Sequence, residues 1–180
     1  HRPHELSACG VGWIVSEFLI KRLTMTFGGT MRLYFDCCCY NRPFDDQSQQ
    51  RIHDESEAIL SLINRAVACG DTILDSSILR LEIDRISDPV KKAKVQQLHR
   101  IASEIVAYAP EIRHRAEEIR QMSEIHEMDS LHLASAEFGN ADVFLTTDMK
   151  LIKSCRRAGG HMRVMNPVSY LAEVIEHDGY

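Results

Sequence analysis

From residue 31 onward, short apolar runs ending in a polar residue alternate with longer amphipathic stretches. That alternation is the strongest constraint on what this chain can fold into. Arg32-Leu-Tyr-Phe-Asp36, Thr72-Ile-Leu-Asp75, Asp142–Thr146 and Met162–Met165 read as short buried strands. Between them lie helical patterns. One runs from Ser48 to Cys69, with Ile52, Ile59, Leu60, Leu62, Ile63 and Val67 on its apolar side and Gly70 as a stop. Ser76 or Ser77 caps a helix to about Ile86, and Asp88-Pro89 opens another that reaches about Val106. Further helices are expected from Pro110 to about Ile125, from Asp129 to Phe138, from Asp148 to about Arg157, and from Pro167. Asn41-Arg42-Pro43 and Asp45-Asp46 read as a loop. Strands alternating with helices predict a parallel sheet covered on both faces, a single three-layer α/β/α sandwich.

Composition narrows the function classes. The 180 residues carry 21 Lys plus Arg against 26 Asp plus Glu, a net charge of −5. That balance excludes a strongly basic nucleic-acid coat protein but suits an enzyme bearing its own carboxylates. No run reaches the roughly 18 apolar residues of a membrane span. Cys37, Cys38 and Cys39 are adjacent, and Cys9, Cys69 and Cys155 are scattered, with no CxxC pair for zinc. Reduced thiols in a cytoplasmic protein are expected. Residues 1–30 do not look like a signal peptide: Glu17 interrupts the apolar run Gly10–Ile20, and Lys21 and Arg22 follow it rather than precede it. They are expected to be a non-native or flexible leader, with the domain spanning residues 31–177.

Ligands of open parallel sheets bind at the carboxyl ends of the strands. Asp36 and Asp148 fall there. Each also suits a plainer role, Asp36 as a strand's exit to solvent and Asp148 as a helix N-cap. On a wheel of roughly 100° per residue with Ile78 at the origin, Glu82 falls at about 40°, inside the apolar arc. A carboxylate on that side needs a partner: a metal, a hydrogen bond, or a salt bridge from Arg80 or Arg85 bending round. Asp129 opens its helix and faces the buried side. His132, one turn on, suits a hydrogen-bonded core histidine better than a ligand. Clustered carboxylates repel one another and call for a cation, and hard oxygen donors suit Mg²⁺ or Mn²⁺.

These residues carry a resemblance. The segments RLYFD at 32–36, SSILRLEID at 76–84, MDSLHLASAE at 128–137 and ADVFLTTDMKLIK at 141–153 resemble, in order and spacing, the PIN-domain ribonuclease family, including the VapC-like toxins. CCYNRPFDDQS at 38–48 is similar to the same loop in one bacterial subgroup. The resemblance implies a Mg²⁺- or Mn²⁺-dependent endoribonuclease acting on RNA. Asp36, Glu82, Asp129 and Asp148 match the family's acidic quartet as metal ligands and catalytic residues, with Asp36 central. Thr146 or Thr147 would hydrogen-bond a carboxylate or a phosphate, and Lys150 and Lys153 would steer the RNA backbone. An antitoxin protein and a second copy in a homodimer are the partners the resemblance implies. The triple cysteine stands where family members often carry Ser or Thr.

The competing reading is a catalytically silent PIN-like module that binds RNA or a protein. Retention of all four acids weighs against it. A haloacid-dehalogenase-type phosphotransferase needs a second Asp two residues after the first, where Cys38 stands, and neither a P-loop nor a GxGxxG motif is present.

Overall fold

The computed structural model describes residues 30–158 and 162–178. Apart from Thr30, the expected leader lies outside the described residues. In chain order the elements are β1 (Arg32–Phe35), α1 (Cys37–Asn41), a 3-10 turn (Arg42–Phe44), α2 (Gln50–Cys69), β2 (Thr72–Ser76), α3 (Ser77–Asp84), α4 (Pro89–His99), β3 (Glu104–Val106), α5 (Pro110–Met122), α6 (Glu127–Phe138), β4 (Val143–Leu145), α7 (Met149–Ala158), β5 (Arg163–Met165) and α8 (Pro167–Asp178). No helix among the described residues is long and apolar enough to cross a membrane.

Local chemistry explains most boundaries. Gly70 ends α2 in the left-handed conformation at φ 75°, and its amide donates to the Ala66 carbonyl. The Ser76 hydroxyl accepts from the Leu79 amide and caps α3. The Asp88 carboxylate accepts from the Val90 and Lys91 amides, with Pro89 at the first position of α4. Pro110 likewise stands at the first position of α5, which has no side-chain cap.

Three expectations need correction. The helix after Pro89 stops at His99 rather than near Val106, and residues 104–106 form an edge strand. Three residues, two of them exposed, carry no readable periodicity. The stretch after Asp36 is not a plain loop: α1 forms because the Asp36 carboxylate caps the Cys37 amide, and the 3-10 turn follows it. Val67 is 63% exposed. The buried stripe of α2 passes through Ile59, Leu62, Ile63 and Ala66, and Val67 lies about 100° round the helix from Ala66.

The five strands are all parallel, in the order β3-β2-β1-β4-β5. The central strand β1 is covered on both sides. Leu33 and Phe35 pack into one core with Ile59 and Leu62 of α2, Leu79 of α3 and Val95 of α4. Tyr34 faces the other way, packing with Leu74, Phe144, Leu133 of α6 and Leu151 of α7. Burial of both faces explains why these strands read as continuous apolar runs. The chain winds outward from β1 through β2 to β3, then restarts at β4 on the other side of β1. The winding therefore reverses between β1 and β4, and a crevice opens beyond their carboxyl ends at such a point.

Candidate metal centre

Asp36 follows β1 directly at that reversal point. Its amide donates to the Leu145 carbonyl at 2.9 Å, which extends the β1–β4 pairing by one residue and fixes where the side chain emerges. The carboxylate is 7% exposed. Oδ1 accepts from the Cys37 amide at 2.7 Å, and Oδ2 accepts from the Thr146 hydroxyl at 2.9 Å and the Cys38 thiol at 3.2 Å. Cys38 Sγ also lies 3.2 Å from Thr146 Oγ1 and accepts from the Thr147 amide at 3.3 Å. The cysteine thus fills the polar position that the sequence left in question.

Glu82 comes in from α3. Its side chain is 38% exposed, and Oε2 accepts from His132 Nε2 at 2.7 Å. The His132 hydrogen bond, aided by the imidazole's charge, outweighs burial and holds the Glu82 carboxyl below its ordinary range. Neither Arg80 nor Arg85 supplies the salt bridge weighed from the sequence, and Arg80 pairs with Asp75. Ligand atoms of Asp36, Glu82 and His132 all lie within 4.8 Å of one another, so these three groups together could hold a metal ion.

Asp129, in the first turn of α6, is half-buried. Burial pushes its pKa up to about 6, and the charges of Asp36 and Asp148 push the same way, although neither Asp129 nor Asp148 joins the group of ligand atoms within 4.8 Å around Asp36. Asp148 is exposed at the start of α7, where Oδ1 accepts from the Lys150 and Leu151 amides. The N-cap role is therefore real, and it engages Oδ1. The Asp148 amide donates to Thr146 Oγ1 at 3.1 Å, which ties the cap to the hydroxyl that holds Asp36. Among the described residues, no Lys or Arg forms an ion pair with Asp36, Asp129 or Asp148.

Thr146 and Thr147 part company. Thr146 is fully buried and binds a carboxylate. The Thr147 hydroxyl turns away and accepts from Arg42 Nη2 at 2.7 Å. Lys150 and Lys153 project from α7 into solvent. His132 is the hydrogen-bonded core histidine expected of it, 1% exposed, with both ring nitrogens engaged. Sequence reasoning missed Tyr34, whose hydroxyl bonds to His132 Nδ1 at 2.7 Å and Ser76 Oγ at 2.8 Å. A tyrosine in an otherwise apolar buried strand was the available signal, because a buried phenol needs a partner.

No protein-family model matches the chain, and no curated protein matches it. Its structure is similar to a chain of the VapBC2 complex from Rickettsia felis, crystallised bound to a DNA fragment from its promoter. The two superpose with a TM-score of 0.55 at 16% sequence identity, over 76% of this chain and 98% of that chain. The likeness is one of fold. The described residues share with that neighbour a parallel sheet flanked by helices, and the acids described above stand at its carboxyl edge.

Proposed function

We propose that residues 31–177 form a PIN-like, metal-dependent endoribonuclease that hydrolyses RNA phosphodiester bonds. The observation that carries this reading is that Asp36 and Glu82, with His132 beside them, bring ligand atoms within 4.8 Å of one another; Asp129 and Asp148 lie outside that group, and Asp129 feels the charge of Asp36 and Asp148. Like charges brought together this way raise each other's pKa unless a cation offsets them. Carboxylate oxygens are hard donors, so the set fits Mg²⁺ or Mn²⁺ better than a soft metal. Asp36, Asp129, Asp148 and Glu82 would hold the ion. When bound, it supplies a bound water of lowered pKa and positive charge facing the phosphate oxygens.

The protein's own part is positional. Thr146 and Cys38 fix Asp36, and His132 fixes Glu82. Lys150 and Lys153 lie beside Asp148 on an exposed helix face, suited to a phosphate backbone. The motif resemblance to the PIN-domain family carries the further reading of a toxin with an antitoxin partner and a homodimer, and the fold shared with a chain of the VapBC2 complex is consistent with it.

The test is cleavage of a mixed single-stranded RNA by the full 180-residue chain. Runs with Mn²⁺, with Mg²⁺, with EDTA and with Asp36→Asn are compared. The expected result is metal-dependent cutting that is absent from the variant. A protein that neither cuts nor binds Mn²⁺ by calorimetry is instead a silent module, and the nuclease reading fails.

A further inference from the structure

Glu82 has the longest stem of the four acids and comes from α3, which begins directly after β2. What holds it is a line of buried groups running beneath the sheet's surface. The Leu79 amide donates to Ser76 Oγ at 3.0 Å, Ser76 Oγ lies 2.8 Å from the Tyr34 hydroxyl, that hydroxyl lies 2.7 Å from His132 Nδ1, and His132 Nε2 lies 2.7 Å from Glu82 Oε2. Ser76 and Tyr34 are 0% exposed and His132 is 1% exposed.

The direction of the line follows from counting protons. An ionised carboxylate only accepts, so His132 Nε2 carries a hydrogen. Once the ring is neutral, as at pH 9, Nδ1 accepts, and its one neighbour able to donate is the Tyr34 hydroxyl; in the imidazolium form the Tyr34–His132 bond keeps its place with Nδ1 as donor. The Tyr34 oxygen in turn accepts from the Ser76 hydroxyl, whose oxygen accepts the Leu79 amide. Each hydroxyl proton is used once, all in the same sense, and no member of the line is left without a partner. The line begins on the backbone of α3 and ends on a side chain of the same helix, passing through β1 and α6. The Tyr34 ring stacks on Phe144 with centroids 5.2 Å apart and planes 10° from parallel, so the hydroxyl at its centre has little freedom to move.

We propose that Ser76, Tyr34 and His132 are positioning residues that hold the Glu82 carboxylate against Asp36, and that His132 is not itself a metal ligand. Both imidazole nitrogens are already bonded, and ligation by Nε2 would require it to release Glu82. The inference rests on the reading of the acidic centre as a cation site. Outer-shell partners of this kind set metal affinity through the ligand they orient.

The experiment uses Mn²⁺ as the probe. Tyr34→Phe removes one hydroxyl and keeps the ring's shape. His132→Leu removes the donor to Glu82, and His132→Gln returns an amide N–H near the position of Nε2. Calorimetry is expected to show Mn²⁺ affinity falling roughly 10-fold in Tyr34→Phe and up to about 100-fold in His132→Leu, with much of the loss restored in His132→Gln. Thermal melts check that each variant is folded. Wild-type affinity in a folded Tyr34→Phe and a folded His132→Leu overturns the proposal. So does a directly coordinated ¹⁴N in the electron spin-echo modulation of bound Mn²⁺ that disappears in His132→Leu, since that makes His132 a ligand. Metal-free ¹⁵N spectra at pH 9 examine the line separately: a hydrogen on Nε2 alone supports it, and a hydrogen on Nδ1 alone overturns it. A wild-type protein that binds no Mn²⁺ overturns the cation site and the positioning role together, and the ¹⁵N result tells that failure from a failure of the line.

Discussion

Two carboxylates end neighbouring central strands, and the protein treats them in opposite ways. Asp75 is the next-to-last residue of β2 and is 2% exposed. Its Oδ1 accepts from the Ser76 amide and lies 2.9 Å from His99 Nε2, while Oδ2 accepts from Arg80 Nε at 2.5 Å. Burial pushes its pKa up, but His99 and Arg80 outweigh burial and hold it below the ordinary value. Asp36 closes β1 one strand away and is 7% exposed. It receives hydrogen bonds from an amide, a hydroxyl and a thiol, it has no Lys or Arg partner among the described residues, and Glu82 and His132 stand beside it. One carboxylate is neutralised by the protein and serves the fold. The other has no Lys or Arg partner and shares its place with a second carboxylate, Glu82, an arrangement that suits a cation site better than a fold.

The largest effect expected comes from exchanging what each acid is good for. Asp36→Asn is expected to abolish cleavage, a loss beyond the roughly 10- to 100-fold that removing an outer-shell partner costs. Its metal-free melting temperature should hold or rise, because a repelling charge has gone. Asp75→Asn is expected to do the reverse. It leaves His99 and Arg80 without their acid and costs about 2 to 3 kcal/mol, less than the ~3–5 of a fully buried pair because Arg80 is half-exposed and screened. Mn²⁺ affinity should stay near wild type where the variant remains folded. Melting curves and calorimetry on both proteins check this. An unfolded Asp36→Asn would break the comparison, since Asp36 would then be structural as well.

The same contrast predicts two opposite pH dependences in metal-free protein. Asp75 has a folded-state pKa below 3.8, so the unfolded chain takes up its proton first. Its stabilisation is complete above that unfolded value and is lost as pH falls through the lower folded value. Asp129 is raised from 3.8 to about 6. Between those values the folded protein binds the extra proton, so this group's contribution falls as pH rises through the window. Melting temperatures from pH 4 to pH 7 are therefore expected to decline at the acidic centre, to flatten in Asp129→Asn, and to recover when Mn²⁺ is added at the upper end. A flat wild-type profile that also ignores Mn²⁺ would remove the repulsion on which the cation site depends.

Asp36 and Asp75 also show how far the sequence can be read. Both follow a short apolar run, YF-Asp36 and IL-Asp75, and nothing local separates them. The difference lies in Arg80 and His99, 5 and 24 residues further on, which only the fold brings to Asp75. Glu82 was readable because a helix wheel exposes an acid on the wrong side. The sheet was readable because strands buried on both faces leave continuous apolar runs. β3 was not, since a three-residue edge strand leaves no pattern. Nor was α1, whose five residues depend on an Asp36 cap that reads equally well as a strand's exit. The Tyr34–His132 bond joins residues 98 apart, and no periodicity reports such a pair.

The smallest effect concerns cations rather than acids, and it sharpens the comparison from the other side. Arg80 is taken up by Asp75, whereas Lys150 and Lys153 stand exposed beside Asp148, and neither forms an ion pair among the described residues. A cation that meets RNA phosphate releases condensed counterions, so it steepens the dependence of binding on salt by about 0.7 per contact on a single strand. A cation already held by a buried acid adds nothing to that slope. RNA binding measured with cleavage blocked by EDTA, across a salt series, should therefore lose about 1.4 from its log–log slope in the Lys150→Ala/Lys153→Ala double variant. Arg80→Ala should leave the slope unchanged while lowering the melting temperature. An unchanged slope in the lysine variant would mean that α7 presents a solvated face, its cations only matching the carbonyl end of the helix dipole, and that the RNA path crosses the carboxyl edge of the sheet elsewhere.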